Sequence, residues 1–105
     1  MPRVALEPRK PLSLRHVFAR NIRLLRIHVG LSQDALADEA RVDRTFVSSL
    51  ERGVRNISID NIELLCRALN MPAHELLTPD FAKRHGIDES AVRAPRKARP
   101  YPAAR

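Results

Sequence analysis

From Ser13 onward the apolar positions fall into a helical rhythm. Leu14, Val17, Phe18, Ile22, Leu25 and Val29 recur at the spacing of one buried helix face. Ser13 stands at its start as an N-cap and Gly30 at its end as a stop. Ser32 caps a second helix, whose stripe of Leu36, Ala37 and Ala40 is narrow and small enough for another helix to approach closely. Asp43 caps a third, with Val42 before it placed to staple onto Val47, and Gly53 closes it. After the loop VRNI, Ser58 caps a fourth helix with Ile59, Ile62, Leu65, Cys66 and Leu69 on one face. Asn70 suits a left-handed terminus, Pro72 the first turn of a short fifth helix over AHELL, and Pro79 closes the domain.

The ends lack this rhythm. Residues 1–12 hold three prolines and no usable period, so they read as a flexible N-terminal arm. Residues 79–105 read as a basic, proline-containing C-terminal tail. In it DFAKRHGIDESAVR is compatible with one weak extra turn or helix, and APRKARPYPAAR with none, given Pro95, Pro100 and Pro102. The predicted architecture is all-α: a compact five-helix domain over residues 13–78, with no internal repeat. Only Arg41, Val42 and Asp43 join the second and third helices, which forces a sharp crossing of the helix-turn-helix kind.

Composition agrees with one small domain: 105 residues, 44% hydrophobic, 4% aromatic, no Trp and three Gly. No stretch alternates as a half-buried strand would. No apolar run approaches the roughly 18 residues of a membrane span, and the N-terminus lacks a secretory apolar segment. The single cysteine, Cys66, lies within a helical pattern, as in a cytosolic protein with a core thiol. The net charge of +7 is concentrated at the ends, because residues 13–78 hold nine Arg against eight acids. A pI near 11 points to a polyanion partner, the plain alternative being a pair of solvated tails.

The outer face of the third helix changes the picture. Opposite Val47 and Leu50 run Thr45, Ser48, Ser49 and Arg52, with Arg44 at the N-terminal end. Short hydroxyls are poor helix formers, and a merely solvated face carries long Glu and Lys instead. A surface that something must approach closely has reason to be short.

Leu31-Ser32-Gln33, Leu36-Ala37, Val42, Val47, Leu50-Glu51-Arg52-Gly53, Asn56 and Glu75-Leu76-Leu77 stand in one ordered series. In this series the chain resembles the phage-repressor (Cro/repressor, XRE) helix-turn-helix family of transcriptional regulators, over about 65 of its 105 residues. It departs from the family's pattern at Arg41, where Gly is usual and a left-handed backbone is wanted, and at Ile57, where Pro is common.

The resemblance implies a lambda-repressor-like fold whose third helix, residues 44–52, enters the DNA major groove. Arg44, Thr45 and Ser49 fall at base-reading positions. Arg44 suits a bidentate pair with guanine, and Thr45 a base acceptor or a thymine methyl. Ser49 is short, so either the helix sits close there or a water carries the contact. Ser32, Gln33, Phe46, Ser48, Arg52, Arg55 and Asn56 fall at the phosphate-contacting flanks. Four of these have a structural alternative: Phe46 as packing against the second helix, Ser48 as a back-bond to the carbonyl four residues earlier, and Arg52 and Arg55 as solvated loop arginines. Arg26 and Glu51 match a partly buried ion pair between the first and third helices.

One such domain reads few base pairs, so a homodimer on a partly palindromic operator is expected. The family's dimer surface lies around the fourth and fifth helices, which offers Ile57, Ile59, Met71 and Leu77. His16, His28, His74 and His85 show no metal-ligand spacing, and no nucleophile–base set stands out. The expected function is therefore sequence-specific double-stranded DNA binding by a dimeric bacterial or phage regulator, a repressor or autoregulator. It is expected to work in the cytoplasm, on the nucleoid, without catalysis, metal or cofactor. The tails either track phosphates or only solubilise. The rival function is an antitoxin-like or adaptor protein that binds a protein partner through its C-terminal segment.

Overall fold

The computed structural model describes residues 13–91, and all six of their regular elements are helices. They are α1 (Leu14–His28), α2 (Gln33–Ala40), α3 (Arg44–Glu51), α4 (Ile59–Leu69), α5 (Ala73–Leu76) and α6 (Phe81–His85). The N-terminal arm, residues 1–12, and the far tail, residues 92–105, lie outside the described residues.

The caps are those the sequence announces, with one exception. Ser13, Ser32 and Ser58 each take a first-turn N–H on the side-chain oxygen, from His16, Ala35 and Asn61. Asp43 has the extended backbone of an N-cap, but its side chain makes no capping bond. Arg41 and Asn70 hold left-handed backbones at φ 61° and 53°. For Asn this is tolerable; for Arg41 it stores about 1 kcal/mol of backbone strain in the turn. Gly53 is demanded twice over, since its φ is +75° and a Cβ there would stand 2.5 Å from the His16 ring.

The core is aliphatic apart from Phe18 and Phe81. Ile22 from α1, Leu36 from α2, Val47 from α3, Leu65 from α4, Leu76 from α5 and Phe81 from α6 are all fully buried. α2 lies against both α3 and α4, and α1 against α3, α5 and α6. The small stripe of α2, Ala37 and Ala40, is buried at the centre of this arrangement and admits the close approach it was expected to.

Packing does not stop at Pro79, as the apolar pattern suggested. The stretch read as a weak turn supplies α6, and Phe81, Ala82 and Ile87 belong to the core. Thr78 is therefore not the end of the packed unit, which runs on to Ile87. Glu75 of α5 ties this extension down, taking Arg84 at 3.2 Å and His85 at 2.9 Å. The His85 hydrogen bond, helped by the charges of Arg84, His85 and His74, holds the Glu75 carboxyl below the ordinary carboxylate range. Asn21, which the pattern of apolar residues passes over, is fully buried on α1 and donates to the Leu76 and Thr78 carbonyls, both at 2.9 Å. It fixes the chain between α5 and α6.

Candidate nucleic-acid interface

α3 is eight residues long and sharply two-sided. Val47 and Leu50 are buried, so the opposite stripe is compelled outward. Arg44 and Thr45 are exposed at its start; Phe46, Ser48 and Ser49 are half-buried along its length. The Arg44 guanidinium lies 3.3 Å from Asp34 of α2, and both side chains remain more than half exposed (61% and 74%). So open an ion pair contributes at most about 1 kcal/mol, and exchanging it for another acceptor costs little.

Ser49 is engaged on both sides. Its hydroxyl donates to the Phe46 carbonyl at 3.2 Å and accepts from Arg55 Nε at 2.8 Å. The Arg55 guanidinium also lies over the Phe46 ring, 5.0 Å from its centroid. Arg55, expected at the far flank, is thus drawn onto the outer face of α3. A serine back-bond, one of the two readings of Ser48, is made by its neighbour Ser49 and goes three residues back. Phe46 serves both sides: it packs against the core and carries Arg55 on its ring.

Beneath this face lies the ion pair foreseen between α1 and α3. Arg26 Nε and Nη2 donate to the two Glu51 oxygens at 2.7 and 2.9 Å, with side chains only 7% and 3% exposed. Arg26 Nη1 also donates to the Leu31 carbonyl at 2.8 Å, which fixes the approach to α2. Gln33 joins the network, donating to Glu51 Oε1 at 3.1 Å. The amide assigned to phosphate contact is therefore also a structural tie between α2 and α3. Ser32 likewise spends its oxygen lone pair on the Ala35 N–H. The other N–H groups of the first turn of α2 have no partner within the helix, and the positive end of its dipole lies there. On the opposite flank, Arg52, Arg55 and Asn56 are exposed.

A second surface lies on other helices. Ile59, Ile62, Cys66, Met71 and Leu77 line an apolar groove between α4 and α5, with Glu63 and Arg67 at its edge. Of the four candidates for the dimer surface, Ile59 is freely exposed (76%), while Ile57, Met71 and Leu77 are half-buried against the core. Burial pushes the Cys66 thiol up. Among the described residues no group of three or more His, Cys, Asp or Glu is placed to hold a metal ion, and no helix is long and apolar enough to cross a membrane.

The profile of the helix-turn-helix family matches residues 22–76, which runs from the middle of α1 to the end of α5. A hypothetical transcription factor of Neisseria meningitidis serogroup B is 47% identical over 66 residues, covering 63% of this chain and 62% of that protein. The match therefore spans less than two thirds of that relative's length. The crystal structure of the hypothetical transcription factor NHTF from Neisseria superposes with a TM-score of 0.65 at 39% identity, over 79% of this chain and 98% of that one. The restriction-modification controller protein C.Esp1396I, solved as a tetramer in complex with its natural 35 base-pair operator, gives a TM-score of 0.59 at 30% identity, over 64% and 92%. The two-sided third helix, the short turn before it and the buried pair beneath it stand in the family's order, and the chain belongs to the helix-turn-helix family of DNA-binding transcriptional regulators, of the phage-repressor (Cro/repressor, XRE) type.

Proposed function

We propose that this chain binds a partly palindromic operator as a homodimer, with α3 in the major groove, and acts as a repressor or autoregulator. One observation carries the assignment. The outward stripe of α3 carries short hydroxyls between three guanidiniums, Arg44 at its start, Arg52 at its end and Arg55 seated on Ser49 and Phe46. Arg44 exchanges its open contact with Asp34 for guanine O6 and N7, a pairing worth about 1–3 kcal/mol of discrimination. Thr45 takes a base acceptor or a thymine methyl. Ser49 reads through Arg55 rather than by its own short reach, with Phe46 as the platform. Ser32, Gln33 and the first-turn N–H groups of α2 hold one phosphate strand; Ser48, Arg52 and Asn56 hold the other side. The solved complex of C.Esp1396I with its operator supports this reading by likeness. Nothing in it calls for catalysis or a cofactor, and the place of work is the nucleoid.

The test is affinity for the DNA upstream of the chain's own gene, measured beside random duplex across a salt series. Specific binding shows as a preference for the upstream DNA that persists as salt rises, while both affinities fall with it. Arg44→Ala should abolish the preference at one base pair per half-site and leave the others. Equal affinity for both duplexes at every salt concentration would remove the assignment.

A further inference from the structure

An acid stands beside the arginine assigned to guanine. Asp34, in the first turn of α2, has its carboxylate Oδ1 3.3 Å from Arg44 Nε, and both side chains are more than half exposed. Among the described residues Arg44 is the only polar partner of the Asp34 side chain. Wherever Arg44 meets the duplex, this carboxylate therefore arrives with it.

An ionised carboxylate only accepts hydrogen bonds and is repelled by phosphate, so DNA offers it few favourable contacts. In the major groove the donors are the N4 amine of cytosine and the N6 amine of adenine. The guanine taken by Arg44 is paired with cytosine, whose N4 amine is held at about 2.9 Å from guanine O6 by the base-pair hydrogen bond. A G·C edge thus presents an acceptor and a donor side by side. Arg44 and Asp34 present a donor and an acceptor side by side, at 3.3 Å.

We propose that Asp34 is a second reader of the base pair that Arg44 reads. The two side chains give up each other, Arg44 for guanine O6 and N7 and Asp34 for the cytosine N4 amine. With the base pair reversed, each would meet a group of its own kind: the guanidinium an amine, the carboxylate a carbonyl oxygen. A carboxylate left unpaired and partly stripped of water counts against that sequence. This role rests on the operator-binding reading and adds to it a residue outside the expected base-reading set.

The test compares the full chain with Asp34→Ala on three duplexes. These are the upstream DNA, random DNA, and the upstream DNA with N4-methylcytosine at the base pair whose preference Arg44→Ala abolishes. The methyl group takes the place of the groove-facing amine hydrogen and leaves the base pair intact. The unaltered chain should lose at least about fivefold on the methylated duplex, while Asp34→Ala binds methylated and unmethylated duplex alike. Asp34→Ala should also lower the ratio of upstream to random affinity at least about fivefold, with no loss on random duplex. Its melting temperature should be nearly unchanged at so exposed a position. An equal loss to methylation in both proteins overturns the proposal. So does a rise of both affinities by the same factor, which would make Asp34 only a repeller of phosphate. A preference for upstream DNA that survives Asp34→Ala undiminished rejects Asp34 as a reader and leaves the operator reading standing. An unaltered chain without that preference rejects both.

Discussion

Ser49 is the residue whose role depends most on its neighbours. Alone it is a short hydroxyl on a helix proposed to reach base edges; with Arg55 on its oxygen and Phe46 below, it becomes the seat of a long guanidinium. Removing either partner should then do the same damage. Ser49→Ala and Arg55→Ala are each expected to weaken operator binding, and the double variant to be no worse than Arg55→Ala alone. Additive losses in a double-mutant cycle of DNA affinities would mean that the two act separately. Arg26 makes a different prediction, because its contacts face inward. Arg26→Ala leaves Glu51 buried without its charge partner and should cost about 3–5 kcal/mol of folding stability. Denaturant unfolding should show that loss, while whatever protein remains folded keeps the same order of preference among operator variants. Gln33 lost part of its expected freedom to the same network, a contact across 18 positions that no local pattern could announce.

Among the elements, the turn between α2 and α3 is closed by a residue ill-suited to it. Arg41 occupies a left-handed conformation that costs a side-chain-bearing residue more than glycine. Arg41→Gly should therefore raise stability by about 0.5–1 kcal/mol in thermal or denaturant melts. A fall in stability would show that the Arg41 side chain itself contributes more than its backbone costs. α6 supplies the second test at this scale. Phe81 is fully buried, so Phe81→Ala should cost about 3–5 kcal/mol although it lies beyond the stretch that matches the family profile. A change below about 1 kcal/mol would mean that α6 is only laid on the surface. The signals of this helix were present in the sequence: Asp80 before it, Gly86 after it and two apolar residues at its start. They were outweighed by Pro79, which reads as a domain end and acts here only as a corner.

At the scale of the whole molecule, the proposed reading face and the apolar groove lie on different helices, α3 and α4–α5, as the proposed homodimer on DNA requires. Ile59 is the exposed apolar residue of that groove and has no core packing to lose. Ile59→Glu should place like charges on both sides of a two-fold contact and convert the dimer to monomer in sedimentation velocity, with the melt of the isolated domain nearly unchanged. Operator affinity should fall by at least about tenfold, since each half-site is then held by one domain alone. A variant that stays dimeric would assign the contact to another face.

The apolar rhythm, the serine caps and the family series were enough to foresee an all-α domain, five of the six helices among the described residues, the Arg26–Glu51 pair and the outward stripe of α3. These are legible because they are local: a helix face repeats every three to four residues, and a cap acts on its own first turn. What the tertiary structure alone decided is long-range. Arg55 leaves its loop for Ser49 and Phe46, Gln33 crosses to Glu51, Asn21 fixes the Leu76–Thr78 corner, and α6 finds the space beside α1 that buries Phe81. Each depends on which surfaces the folded chain brings within hydrogen-bond or van der Waals reach. That distance is set by the packing of α1 against α3, α5 and α6, and no spacing along the sequence encodes it.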